Sequence, residues 1–162
     1  MSSKTNYDAF LAEVAERMGV KKSDIWQRQY NQACKWIHNK GFDVVLKSGA
    51  KDEVVWDDSR IIINKNYRWE TRYYSLLHEI GHIVISENKE LFNYDYPFYI
   101  EVDKVGRKSN LYKLSTIGEE IEAWKFGRNI GDNELYHFIN HDKYDKLMTE
   151  CVMSYIYWAA ES

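Results

Sequence analysis

Cysteine and proline are scarce in this 162-residue chain, and the scarcity of cysteine limits the kinds of site that it can build. Its two cysteines, Cys34 and Cys151, stand far apart and lack the C-x-x-C spacing of metal-binding and redox motifs. We therefore expect two buried thiols rather than a disulfide or a cysteine pair that binds a metal. The single proline, Pro97, marks an irregular segment and assigns no function.

Clusters of positive charge and long apolar runs are missing as well. The net charge is −3 and the lysines and arginines are dispersed, so the sequence carries no electrostatic footprint of nucleic-acid binding. No apolar run approaches the length of a transmembrane helix, and residues 1–8 lack the apolar stretch of a signal peptide. We expect a cytoplasmic protein that binds neither nucleic acid nor membrane.

The residues that are present fit one globular domain over residues 1–162. Hydrophobic residues make up 44% of the chain and charged residues 29%, and the chain is long enough to bury a core. Apolar periodicity predicts an α+β fold with a small sheet and helices at both ends. The predicted strands cover residues 42–46, 54–56 and 60–64, with a further hairpin at 98–114. The predicted helices cover residues 6–18, 23–40, 67–86, 117–128 and 142–160.

The strongest functional signal is the motif HEIGH at residues 78–82, inside the predicted helix 67–86. His78 and His82 are four positions apart, so they project from one face of the helix. Neutral imidazoles are good zinc ligands, and the pair can supply two corners of a tetrahedral site. Glu79 lies beside the pair, where it can take a proton from a water that the metal activates. The motif predicts a metallohydrolase with one Zn²⁺ per chain.

The apolar stripe of this helix is separate from the histidine pair. His78 and His82 fall about 140–180° from Tyr73 around the helix axis, whereas a histidine of the core would lie within the stripe. Ile85 and Asn88 stand where a metzincin would continue its motif with glycine and histidine, which excludes that class. The stripe consists of Tyr73, Leu76, Leu77, Ile80 and Val84.

A catalytic zinc site needs a third protein ligand, and the helix predicted at 117–128 offers three carboxylates. We favour Glu122, because the neighbouring Ala123 leaves room for the close helix approach that a shared metal requires. Glu119 lies one turn earlier on nearly the same face and could orient a histidine or be the ligand itself. Glu120 also stays open as a ligand.

Four motifs in this order resemble the ImmA/IrrE group of gluzincin metallopeptidases. They are a strand that ends in asparagine, a basic residue, an HExGH helix and a later helix with E-x-E-A-x-x-F. In this chain they are Ile61–Asn64, Arg72, residues 78–82 and Glu120–Phe126. The resemblance covers about residues 60–128 and implies a zincin-like fold. It also implies that His78, His82 and Glu122 bind zinc, with Glu79 as the general base.

The resemblance further implies a partner. Members of the group are often cytoplasmic regulators that cleave a repressor, commonly in phages and mobile elements, so we expect a repressor-like protein as the substrate. In zincins the strand before the active helix often pairs with the extended substrate. Ile62, Ile63 and Asn64 are accordingly predicted to bind substrate, although this strand could simply be core sheet. Candidate donors to the developing oxyanion, each more often structural, are Tyr112, His137 and His141.

The function predicted from these residues is that of a zinc metalloendopeptidase that cleaves an internal bond of a protein or peptide. The alternative is a zinc-containing interaction protein, phage or mobile-element encoded, that binds a partner without turnover. Glu79 argues against this alternative, because a purely structural site needs no general base and would close its fourth position with another protein ligand.

Overall fold

The computed structural model describes residues 6–95, 106 and 109–161. The chain divides into two compact units, Met1–Leu76 and Leu77–Ser162. The first unit contains two helices, a small sheet and the beginning of a third helix, and the second contains the rest of that helix and the helices that follow it. The prediction of one domain over residues 1–162 stays a prediction.

Two helices open the first unit, close to their predicted positions. Helix α1, Tyr7–Met18, begins where the Asn6 side chain accepts a hydrogen bond from the Ala9 backbone N–H and ends at Gly19, whose φ is 67°. The predicted helix 23–40 suggests Ser23 as its cap, but helix α2 spans Lys22–His38 and has a different cap. The Asp24 carboxylate accepts a hydrogen bond from the Lys21 N–H at 2.9 Å. Acidic side chains suit this end because helix dipoles place positive charge there.

The sheet has three strands, in the order β1-β3-β2. They are β1, Asp43–Lys47, β2, Glu53–Val55, and β3, Arg60–Asn64. Strand β3 is antiparallel to β2, which confirms the predicted hairpin, and it is parallel to β1. The C-terminal strand of the hairpin is therefore the centre of the sheet.

Aromatic and branched side chains build the core of the first unit. Ile61 and Ile63 alternate along β3 and are fully buried, as the period-2 pattern requires. The Trp26 ring on α2 meets the Tyr74 ring edge-on, with ring centroids 5.6 Å apart. Further fully buried side chains are Leu11, Ala33, Ile37, Tyr73 and Leu76.

Helix α3, Trp69–Glu87, matches the predicted helix 67–86 and contains the HEIGH motif. Arg72 connects the residues that precede helix α3 with the first turn of that helix. Its guanidinium donates to the backbone carbonyls of Tyr67 and Lys65 and lies 4.2 Å from the centre of the Trp69 ring. Residues 73–81 are all buried, so α3 is covered on every side along this stretch.

The regular secondary structure of the second unit, within its described residues, is entirely helical. After α3 come α4, Lys89–Asp95, α5, Asn110–Asn129, a π-helical turn, Ile130–Glu134, and α6, His141–Glu161. Helices α5 and α6 are in contact, and the buried Lys113 ammonium donates to the Ala159 carbonyl near the end of α6 at 3.0 Å. A cation at a helix C-terminus is stabilised by the exposed carbonyls there.

Three expectations for this region are wrong. Residues 89–95 form a helix where an irregular segment was expected. The second arm of the hairpin expected at 98–114 is the start of α5, because Ser109 accepts a hydrogen bond from the Tyr112 N–H and caps that helix. The first arm falls largely outside the described residues. The predicted helix 142–160 suggests Asp142 as its cap, but Asn140 accepts the hydrogen bond from the Lys143 N–H at the start of α6.

The small sheet and the helices on both sides of it in sequence confirm the general α+β class. The finer assignment to the zincins is not tested by this element order. Within the residues that the structure describes, no helix is both long and apolar enough to cross a membrane.

Candidate metal centre

Helices α3 and α5 touch through their backbones, and this contact positions the site. A Cβ atom added to Gly81 would overlap the carbonyl oxygen of Ala123, and one added to Gly127 would overlap the carbonyl oxygen of Leu77. Only glycine allows two helices to approach this closely at such points. The small residues of α3 and α5 therefore bring the HEIGH face of one helix against the acidic turn of the other.

Three donor groups meet at this crossing. The Nε2 atoms of His78 and His82 lie 3.0 Å apart. The two oxygens of the Glu120 carboxylate lie 3.2 Å from His78 Nε2 and 3.3 Å from His82 Nε2. His78 and Glu120 are each 6% exposed, so this is a buried cluster of two imidazoles and a carboxylate.

The carboxylate in this cluster is Glu120, whereas the sequence favoured Glu122. Positions 120 and 122 differ by about 200° around a helix, so the two side chains leave α5 on opposite sides. The Glu122 carboxylate lies 3.4 Å from the ammonium of Lys125, one turn further along. Glu122 belongs neither to the group of His78, Glu79 and His82 nor to the group of His78, Glu120 and Cys151, whose donor atoms are close enough to share a metal.

Glu119 occupies the position expected for a residue that orients a histidine. Its Oε1 lies 3.2 Å from His82 Nδ1, the ring nitrogen that faces away from His78. Burial lowers the pKa of His82, but the hydrogen bonds to Glu119 and Glu120 outweigh burial and raise that pKa to about 10. Burial likewise raises the pKa of Glu120, and its hydrogen bonds to His78 and His82 outweigh it and hold that pKa well below the usual range. The cluster therefore favours positive charge at its centre.

Glu79 lies at the edge of the same cluster. Its Oε1 is 3.8 Å from His78 Nε2, and the residue is 6% exposed. Its carboxylate and the two imidazoles have donor atoms within 4.8 Å of one another. The HEIGH motif thus places Glu79 beside the histidine pair, as the spacing predicted.

Trp124 forms one wall of the cluster. Its ring centre is 4.3 Å from that of His78, and Tyr144 from α6 packs edge-on against its other side at 5.2 Å. The Tyr144 hydroxyl also donates to the Trp124 carbonyl. Apolar walls of this kind lower the local dielectric and strengthen the attraction between the carboxylates and a cation.

Helix α6 brings two residues to the cluster that the sequence did not identify. The Cys151 thiol donates to Glu120 Oε2 over 3.7 Å. Burial raises the pKa of Tyr155, and the negative charge of the nearby Glu120 carboxylate raises it further. Burial also raises the pKa of Cys151 to about 11, while the Trp124 indole N–H acts in the opposite direction. Cys151 and Tyr155 share one helix face, but only the fold shows that this face meets Glu120.

The strand predicted to bind substrate has no free edge along most of its length. Residues 60–62 of β3 pair with β2 on one side, and residues 60–64 pair with β1 on the other. The Asn64 N–H donates a hydrogen bond to the Asp52 carboxylate at 2.6 Å. An added strand therefore cannot pair with residues 60–62, which are paired on both sides within the sheet. A role of Ile62, Ile63 and Asn64 in substrate binding stays a prediction.

Of the three suggested oxyanion donors, Tyr112 and His141 each contact another side chain. The Tyr112 ring packs edge-on against Trp158 at 6.1 Å, and His141 pairs with Asp132 at 3.1 Å. Burial lowers the pKa of His137 to about 4, so this imidazole is neutral at physiological pH. A role of any of the three in stabilising an oxyanion stays a prediction.

Comparison of the chain with family models, with curated proteins and with solved structures found no match in any of the three. The resemblance to ImmA/IrrE peptidases remains an expectation from the motifs of residues 60–128.

Proposed function

We propose that this protein is a zinc-dependent metallopeptidase whose ion is held by His78, His82 and Glu120. The observation that carries the proposal is the spacing of the three donors. Ligand atoms at 2.0–2.2 Å from a tetrahedral ion lie about 3.3–3.6 Å from one another. The three closest separations in the cluster are 3.0, 3.2 and 3.3 Å, so the donors must move apart by a few tenths of an ångström to hold an ion between them.

The chemistry of the donor set supports zinc. Two imidazole nitrogens and one carboxylate form a common ligand set of catalytic zinc, and they leave a fourth position for water or substrate. Bound zinc would supply a Lewis acid that activates water and polarises a peptide carbonyl. The Glu119 contact to His82 Nδ1 supports the same reading, because a carboxylate on the second ring nitrogen fixes the orientation of a ligand histidine.

Glu79 then has the role of the general base. Its carboxylate accepts a proton from the attacking water and delivers that proton to the leaving amine. The Glu79 carboxylate lies within 4.8 Å of donor atoms of both imidazoles, and this proximity supports the assignment. A carboxylate in this role is not needed by a site that only stabilises the fold.

The substrate proposed is a protein with an internal bond to be cleaved, and a repressor-like regulator is the partner that the resemblance implies. The substrate-binding surface is not the backbone of β3, whose hydrogen bonds are already satisfied along residues 60–62. The substrate would therefore contact other surfaces around the metal site than the paired backbone of residues 60–62.

Zinc content of matched variants tests the ligand set. Wild-type protein should hold about one zinc per chain, as expected for a three-ligand site. Glu120→Ala should lose stoichiometric zinc, and Glu122→Ala, the control on the same helix, should keep it because Glu122 pairs with Lys125. Zinc content should be measured by atomic absorption after dialysis against buffer. Loss of zinc from Glu122→Ala with retention in Glu120→Ala would overturn this ligand set.

A further inference from the structure

Cys151 lies beside the proposed metal ligands without a role in the reaction described so far. Its sulfur is 3.7 Å from Glu120 Oε2. Donor atoms of His78, Glu120 and Cys151 all lie within 4.8 Å of one another, and two of these residues are buried and the third half-buried. The sulfur therefore approaches the cluster from the side of His78 and Glu120.

The distance between sulfur and carboxylate fits a shared ion. A thiolate bound at about 2.3 Å and a carboxylate oxygen bound at about 2.1 Å are about 3.6 Å apart on a tetrahedral ion. The observed 3.7 Å is close to this value. The side chain of Cys151 has one rotatable bond, so small adjustments of the sulfur need no movement of α6.

Trp124 provides an independent observation. It is 5% exposed, and its indole N–H has no hydrogen-bond acceptor among the described residues. The Cys151 thiol lies near this N–H, which lowers the pKa of the thiol, but the two groups form no hydrogen bond. A buried donor without an acceptor is costly, and a thiolate at Cys151 would be a much better acceptor than the neutral thiol.

We propose that Cys151 is a fourth protein ligand, whose thiolate closes the metal site in the resting protein. This inference rests on the proposed function, because it uses the ion held by His78, His82 and Glu120. Coordination breaks the S–H bond, forms a sulfur–metal bond and releases the proton to solvent, with no change of oxidation state. The thiolate then occupies the position that water or substrate needs, so hydrolysis requires its displacement.

Cobalt substitution tests this directly, since Co²⁺ adopts the same tetrahedral site and reports its ligands by absorption. A thiolate ligand gives a charge-transfer band in the near ultraviolet, whereas nitrogen and oxygen ligands give only the weaker visible bands. Wild-type protein loaded with Co²⁺ under reducing conditions should show the near-ultraviolet band. Cys151→Ser should lose it, and Cys34→Ser, the control at the only other cysteine, should keep it.

The spectra separate failure of this inference from failure of the proposed function. Visible bands of bound tetrahedral Co²⁺ without a charge-transfer band would overturn the thiolate ligand and leave the three-ligand site standing. Absence of bound Co²⁺ and Zn²⁺ would overturn both. A charge-transfer band that survives Cys151→Ser would also overturn the assignment.

Affinity and activity give a second measurement on the same variants. Cys151→Ser should bind zinc at least about tenfold more weakly, because loss even of an outer contact to a ligand typically costs that much. Peptide hydrolysis at saturating zinc should rise in Cys151→Ser and stay unchanged in Cys34→Ser, since opening the fourth position removes the competition with water. Equal zinc affinity and equal activity in wild type and Cys151→Ser would contradict a closed resting site.

Discussion

Glu79 shows how one buried carboxylate separates catalysis from metal binding. It lies 3.8 Å from His78 Nε2, close enough to share the site but outside the closest set of donors formed by His78, His82 and Glu120. An amide of the same shape can fill its place but cannot accept a proton at neutral pH. A substitution at Glu79 should therefore abolish proton transfer without loss of the bound metal.

We predict that Glu79→Gln keeps stoichiometric zinc and the wild-type unfolding curve. Its hydrolysis of any peptide that the wild type cleaves should fall by about 10²-fold or more, as is typical for loss of a general base. Initial rates at saturating zinc measure this. Full activity in Glu79→Gln would exclude Glu79 as the base, and biological activity that persists without hydrolysis would favour the interaction-protein alternative.

Glu119→Gln tests the orientation of His82. The carboxylate at 3.2 Å fixes the ring through Nδ1, and an amide binds this nitrogen more weakly. Zinc affinity should fall by about 10- to 100-fold while zinc still binds stoichiometrically at high concentration. Competition with a chelator measures the affinity. An unchanged affinity would show that Glu119 only shields the site from solvent.

At this scale the sequence predicted the residues of HEIGH and not the third donor. Spacing alone places two histidines and Glu79 on neighbouring helical positions, and the structure retains that arrangement. The choice between Glu120 and Glu122 depends on how α5 is rotated about its axis. Packing of Ala123 against Gly81 sets that rotation, and no local pattern in the helix reports it.

The contact between α3 and α5 is the element on which the site depends. Gly81 and Gly127 each face a backbone carbonyl of the opposite helix, at Ala123 and Leu77. These two contacts lie one helical turn apart on each helix, so the glycines act together. The sequence did suggest a close approach, because Ala123 is small. The contact of Gly127 with the Leu77 carbonyl is visible only in the structure.

We expect Gly81→Ala to lower the free energy of unfolding by about 1–3 kcal/mol or more, because the new methyl group would overlap backbone that cannot rotate away. Gly106→Ala is the control, since no atom of the described residues lies within 4 Å of a Cβ at that position, and it should change the free energy by less than about 1 kcal/mol. Urea unfolding followed by circular dichroism measures both. A Gly81→Ala protein as stable as the control would contradict the close approach.

For the whole molecule, all of the proposed ligands belong to the second unit, Leu77–Ser162. An ion that binds only the folded state stabilises it by about 2.7 kcal/mol when its free concentration is a hundred times Kd. That stabilisation should be concentrated in the helices that carry the ligands. The sheet of the first unit, residues 43–64, contributes no proposed ligand.

Hydrogen exchange with and without zinc tests this division. Amides of residues 77–87 and 119–124 should exchange more slowly when zinc is added, and amides of β1 and β3 should change less. Addition of a chelator should reverse the difference and lower the melting temperature. Equal slowing in both units would show that the ion stabilises the chain as one cooperative body and not through its local ligands.

Arg72 has a consequence for which substitutions this chain can tolerate. Its planar guanidinium donates to two carbonyls, of Tyr67 and Lys65, and at the same time covers the Trp69 ring. A lysine carries the same charge but offers a compact ammonium without a flat face, so it cannot make this set of contacts. In a saturation library selected for folded protein, Arg72→Lys should therefore be strongly depleted. Arg17→Lys should be retained, because the exposed Arg17 side chain forms an ion pair with Glu13 that a lysine can also form.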